Sequence, residues 1–220
     1  MGDSYAHLYL YCNGRKFKVC AMNWQDFTAL LVLATAMSFS PGPNTTLSTA
    51  LAAHGGMPRA MRFVLAVPVG WTLLLVLCAG GLGVLVMAAP ALRVAIKAVG
   101  VAYLLWLAFK LSGSAALGRT SDAPLDVGFA QGVMLQFVNI KAWLLALTLV
   151  AGWIAGQADA PQRFAIVVAV MLFFAFASNF VYALVGALLR HWLAQGSRLL
   201  WFNRAMAAVL VLTAWWMVSA

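Results

Sequence analysis

Six apolar runs, at residues 24–53, 63–89, 91–112, 127–156, 164–189 and 199–220, recur along the chain. Each is as long as, or longer than, the roughly 20 helical residues needed to cross about 30 Å of hydrocarbon. The chain is 65% hydrophobic and 9% charged over 220 residues, too few ionisable groups to cover a water-soluble globule of that size. The expectation is an all-α membrane protein with six transmembrane helices. Lys97 and Lys110 flank the middle of the third run and are expected to snorkel towards opposite interfaces. Arg204 makes the sixth a short or tilted span.

The net charge of +9 comes from 14 basic residues scattered through the connections, so no single basic face offers itself to nucleic acid. Their distribution bears on orientation. Arg59, Arg62, Lys110, Arg119, Arg190, Arg198 and Arg204 fall at the first, third and fifth connections, and Arg93, Lys97 and Arg163 at the second and fourth. That places the odd connections in the cytoplasm and both termini outside, whereas Arg15, Lys16 and Lys18 in the tail pull the N-terminus inside. Both orientations stay open. Residues 1–21 lack the apolar core of a signal peptide and form an N-terminal tail, either disordered or ahead of a start at Met22.

The polar stretch "SGSAALGRTSDAPLD", residues 112–126, divides the spans three and three. The halves are 22–112 and 127–220, joined by a loop at 113–126. Three spans per half means that related halves are inserted upside down with respect to each other, as inverted repeats. The first span of each half is interrupted. In "SFSPGPNTTLSTA", residues 38–50, Pro41 and Pro43 remove N–H groups and clash with the preceding turn, so the helix breaks. A break exposed to lipid would strand backbone groups at several kcal/mol each, so it faces protein or a wet cavity. Asn44 is then placed to cap the restarted helix. The N–H groups around Thr45, Thr46 and Leu47 and the positive end of the helix dipole would meet a carboxylate. Ser38, Ser40, Thr45 and Thr46 add hydroxyls. A proline kink without a ligand is the plainer alternative.

In the second half the interruption is "LQFVNIKAW", residues 135–143. Lys141 lies about 20 Å of helix from either end of its run, beyond the reach of snorkelling. A charge at that depth costs roughly 2.5–3.5 kcal/mol and requires a cavity or partner, unless the helix is shifted to put it at an interface. Gln136 and Asn139 share a helical face. Asn139 and Lys141 are about 200° apart and share a cavity only if the backbone unwinds, which Ile140 does not force. Ser178, Asn179 and Tyr182 make a polar stripe on the fifth span, lining a cavity or bonding between helices.

The remaining features read as structure. Gly128 with Gly132 and Gly152 with Gly156 are small-x-x-x-small packing pairs, and Gly80, Gly81 and Gly83 thin the second span. Trp24, Trp71, Trp153, Trp192 and Trp201 are interface anchors, and His54 is an interface residue, with a role in proton coupling as the alternative. Cys12, Cys20 and Cys78 show no pairing pattern. Of the five acidic residues only Asp26 begins a span, so no buried carboxylate offers itself as an ion carrier. No metal-ligand spacing occurs, and no cofactor is expected.

The "SPGPNT" run at 40–45, six spans in two sets of three, and the Asn139-x-Lys141 element together resemble the amino-acid exporter family named after the lysine exporter and the homoserine/threonine exporters. The resemblance covers residues 22 to about 218. Pro41, Gly42, Pro43 and Asn44 match its first signature, and Asn139 and Lys141 its second, where Ile140 stands in place of the family's usual proline. "LQFVNIK" is most similar to the branch that exports cysteine and O-acetylserine. The resemblance implies a non-enzymatic secondary transporter of the bacterial inner membrane. It would export a small neutral amino acid or derivative, of the cysteine, O-acetylserine or threonine/homoserine kind, with protons as the coupling ion and by antiport. The expected substrate-binding set is Ser40, Pro41, Gly42, Pro43, Asn44, Thr45, Gln136, Asn139, Lys141, Asn179 and Tyr182. A homodimer is one assembly open to it. The alternatives are a non-transporting accessory subunit and a membrane redox protein, the latter needing paired intramembrane cysteines where Cys78 stands alone.

Overall fold

The computed structural model describes residues 8–12, 15–19, 22–112 and 126–219. The expected loop at 113–126 lies, apart from Asp126, outside the described residues. Within the stretch expected as a tail, β1 (Leu8–Cys12) pairs antiparallel with β2 (Arg15–Val19), Leu8 opposite Val19 and Cys12 opposite Arg15. The two segments are rich in Tyr, Phe and Val, and the sequence Asn13-Gly14 between them is of the type that favours two-residue hairpins. This hairpin departs from an all-α reading of the whole chain.

All other regular structure among the described residues is helical. α1 (Trp24–Phe39) opens on Asn23, whose Oδ1 accepts the Asp26 N–H at 2.6 Å. Its 16 residues span roughly 24 Å, short of the hydrocarbon depth. The chain leaves helical geometry at Ser40-Pro41-Gly42 and restarts as α2 (Pro43–Ala79). A straight helix of 37 residues would run roughly 55 Å, nearly two bilayer cores. Gly56 divides it: φ of 75° and ψ of 179° are accessible at little cost only without a Cβ, and they separate 43–55 from 57–79. Hydropathy places the second span at 63–89. It instead ends at Ala79, followed by the short α3 (Leu82–Ala88), and Pro90 starts α4 (Pro90–Ser112), which coincides with the third run.

In the second half, α5 (Phe129–Val138) and α6 (Ile140–Leu149), with a π-helical turn at Val150–Ile154, meet at a bend of 69°. α7 (Ala160–Leu193) and α8 (Arg198–Ser219) follow. Among the described residues α2, α4, α7 and α8 are long and apolar enough to cross a membrane, and the bent pair adds a fifth candidate. The protein is a multi-pass helical membrane protein.

α2 forms the centre of the bundle, packed along α7 and α5, while α4 packs on α8. Glycines set the closest approaches. A Cβ on Gly70 of α2 would lie 2.7 Å from the Val133 carbonyl oxygen, and one on Gly132 of α5 would lie 2.7 Å from Ala66 Cβ. Gly128 instead caps α5, and Gly152 and Gly156 face open space, so the second glycine pair is no packing face. Trp24, Trp192 and Trp201 are exposed, as interface anchors are, whereas Trp71 is buried at the middle of 57–79. Lys110 lies 4.6 Å over the Trp106 ring and Arg204 5.4 Å over Trp201. At one end of the bundle Arg163 bridges Asp159 at 2.9 Å and Asp26 at 3.0 Å, and Trp153 donates to the Asp26 carbonyl at 2.9 Å. α1, α7 and the π-turn are thereby tied together, and Trp153 is a tie and no longer a simple anchor. His54 is 6% exposed and lies 3.0 Å from Asn203 Oδ1 of α8, so it is a buried interhelical contact and not an interface residue.

Candidate functional site

The two helix breaks meet. Lys141, at the start of α6, donates from Nζ to Ser40 Oγ at 2.6 Å and to the Ser40 carbonyl at 3.3 Å. These residues are 101 positions apart in sequence, each beside the interruption of its own segment. No carboxylate among the described residues pairs with the ammonium, so two neutral oxygens of the first break are its recorded acceptors.

At the first break the cap differs from the expected one. Gly42 is the N-cap of α2 and Pro43 the first helical residue, the position where a missing N–H costs nothing. Thr45 closes the turn: its hydroxyl accepts the Gly42 N–H and donates to the Gly42 carbonyl, both at 3.1 Å. The first intrahelical bond runs from Thr46 N–H to Gly42 O at 3.0 Å. A glycine N-cap has no side-chain oxygen, so helix geometry leaves the N–H groups of Asn44 and Thr45 without an intrahelical acceptor, at the positive end of the dipole.

Asn44 is not the cap because its amide is engaged elsewhere. Its Nδ2 donates to Gln136 Oε1 at 2.9 Å, and Gln136 Nε2 returns a bond to Asn44 Oδ1 at 3.1 Å. Gln136 also donates to the Gly132 carbonyl at 3.0 Å and is fully buried. This side chain therefore positions Asn44 and does not face the cavity.

At the second break the backbone unwinds although Ile140 does not compel it. Asn139 takes φ −90° and ψ 100°, ends α5 and caps α6, its Oδ1 accepting the Lys141 N–H at 3.2 Å. A single extended residue is enough to bring Asn139 and Lys141 to one cavity.

That cavity, about 60 Å³, is lined by Ser38, Ser40, Gly42, Pro43, Asn44 and Thr45 from the first break, Asn139 and Lys141 from the second, and Ser178 and Asn179 from α7. Met37, Val67, Trp71, Ala142, Leu145, Met171 and Ala175 complete its wall. A cavity of that volume has room for several water-sized groups. Asn179 Oδ1 accepts from Ser48 at 2.8 Å, so it bonds between helices as well as lining the cavity. Pro41 and Tyr182 lie apart, in a lateral groove between α2, α7 and α8. There the Tyr182 hydroxyl donates to the Phe39 carbonyl at 2.9 Å, satisfying a free C-terminal acceptor of α1. The apolar wall was not singled out from sequence. Helical spacing from the polar positions finds Ala175, four residues before Asn179, but not Trp71.

The sequence profile of the LysE type translocators matches residues 35–219. The chain is 30% identical to a cysteine/O-acetylserine efflux protein of Klebsiella pneumoniae, over 84% of this chain and 92% of that one. It is also 30% identical to the protein so named from Escherichia coli K12, over 81% and 89%. Another of that name, from Salmonella typhimurium, is 34% identical over 58% of this chain, and the chain spans 64% of that relative's length. No solved structure matches the chain significantly. With the family profile covering both breaks and every cavity-lining residue, this chain belongs to the LysE type translocator family.

Proposed function

We propose that the chain is an exporter of small neutral amino acids in the bacterial inner membrane, with the cavity between the two breaks as its substrate site. The observation that carries this reading is the contact of Lys141 with Ser40, which sets an ammonium beside the open amide end of α2. A substrate carboxylate suits the N–H groups of Asn44 and Thr45, with Lys141 as countercharge. Its ammonium suits the oxygens of Ser178 and Asn179, which also line the cavity. The cavity volume supports a small substrate, and the names of the relatives favour cysteine and O-acetylserine.

The same reading takes residues 24–55, 57–79 and α4 as three spans and α5 with α6, α7 and α8 as three more, related by inversion. In its support, the breaks fall in the first span of each half and touch, and the third span of each half packs on that of the other. Lys141 is the one ionisable side chain in the cavity wall, which makes it the candidate link to a proton gradient in an antiport cycle.

The test is flux in proteoliposomes holding only this protein, with and without a pH gradient, using O-acetylserine, cysteine and threonine. Expected is transport of at least one, accelerated by the gradient and reduced at least tenfold by Lys141→Gln, which keeps a donor and removes the charge. Absence of flux in the wild type, or flux unchanged by Lys141→Gln, contradicts the proposal.

A further inference from the structure

A second cavity, a groove of about 410 Å³ between α3, α4 and α6, shares no lining residue with the site between the two breaks. Ile140, Trp143, Leu144 and Leu147 supply its α6 side, and the lining from α3 is apolar as well. Leu144 is 42% exposed and Val94, on the α4 side, 65%, so the groove lies open at the flank of the bundle. In a multi-pass membrane protein that flank meets lipid. The Trp143 indole N–H is already committed to the Phe137 carbonyl at 2.7 Å. The polar side chains left in the lining to bind a ligand are two cations, Arg93 and Lys97.

These two stand one helical turn apart on α4, a spacing at which like charges repel. No carboxylate lines the groove, and the three carboxylates among the described residues are engaged elsewhere: Asp26 and Asp159 with Arg163, and Asp126 with Arg59. Neither cation has a hydrogen-bond or ion-pair partner among the described residues, whereas Lys110, Arg198 and Arg204 each lie over an indole ring. Arg93 and Lys97 are the fourth and eighth residues of α4, about 5 and 11 Å along the helix from its start. That is the depth at which lipid phosphates give way to acyl chains. A guanidinium and an ammonium there match a phosphate, the guanidinium in bidentate fashion.

We infer that this groove is a binding site for an anionic phospholipid, its phosphate held by Arg93 and Lys97 and an acyl chain laid against Ile140, Leu144 and Leu147. Charge complementarity and apolar lining together select this occupant. A soluble phosphate would gain nothing from the apolar side chains, and a zwitterionic lipid brings its own cation to a site that already has two. Basic pockets between membrane helices recognise lipid headgroups by the same logic. The inference does not depend on the exporter reading, because the two cavities are separate.

The test is native mass spectrometry of the full-length protein in detergent, titrated with phosphatidylglycerol and with phosphatidylcholine of identical acyl chains. The variants are Arg93→Gln, Lys97→Gln, their double, Leu144→Trp, which fills the groove and leaves the cations in place, and Arg62→Gln as an exposed basic control outside it. Expected in the wild type is a several-fold preference for phosphatidylglycerol, reduced about fivefold by each single charge removal and abolished in the double variant. Leu144→Trp is expected to weaken binding of the anionic lipid, and Arg62→Gln to leave it unchanged. Equal binding of the two lipids by the wild type overturns the inference, and so does a preference that survives in the double variant. An equal loss in Arg62→Gln overturns it too, since only overall charge is then being read. Displacement of the lipid by millimolar inorganic phosphate, or full binding by Leu144→Trp, would show a bare anion site without a lipid groove. A wild-type dimer that carries no lipid would show that a second copy of the chain covers this face instead.

Discussion

Asn44 and Gln136 exchange both of their amide bonds across the boundary between α2 and α5, and Gln136 is fully buried. Deleting one partner strands the other's donor and acceptor away from water, at about 1–3 kcal/mol. Asn44→Ala is therefore expected to lower the thermal stability of the purified protein as well as its flux, and so is Gln136→Ala. The double variant is expected to lose less than the sum, because each single change already breaks the pair. A thermal double-mutant cycle in detergent with a coupling energy near zero would show that the two amides act independently. The Asn44 side chain thus fixes the start of α2 against α5, and the same residue lines the cavity. From sequence alone the side chain is the natural candidate for the cap. The partner that draws it away lies 92 residues downstream and is invisible to any local pattern.

At the scale of elements, the two breaks have different physical origins. The first follows from Pro41 and Pro43, which remove backbone donors, and its position is legible in the sequence to within a residue or two. The second has no such cause. Asn139 adopts an extended ψ and caps α6, and packing holds the 69° bend. The Ile140 N–H is at the first position of α6, where no intrahelical acceptor exists, and Asn139 already has the extended backbone that a following proline demands. Ile140→Pro is thus expected to be tolerated, with a stability change between neutral and a gain of about 1 kcal/mol and with flux retained. Loss of folded protein on that substitution would mean that the unwound geometry at Asn139 is misassigned. The kink at Gly56 was not legible, because a left-handed glycine inside a continuous apolar run leaves hydropathy unchanged. That one omission slides the second span to 63–89, which puts Trp71 near a span end and disguises a cavity residue as an interface anchor. His54 was misplaced for a related reason: only the packing of α8 over residues 53 and 54 buries it.

For the whole molecule, the class of protein was legible from hydropathy and from the signature at residues 40–45, whereas the cavity was not, since it exists only where two breaks 101 residues apart in sequence touch. The account proposed here is that a substrate site lies between a glycine-capped helix end and Lys141, deep in the bundle. Its most direct test places a reporter thiol at the contact itself. In a background with Cys12, Cys20 and Cys78 replaced, Ser40→Cys is labelled by a small maleimide with and without saturating O-acetylserine, and Thr28→Cys, on the exposed face of α1, serves as control. The account predicts that the amino acid slows modification at position 40 several-fold and leaves position 28 unaffected. Equal labelling rates at position 40 with and without a transported amino acid would contradict it.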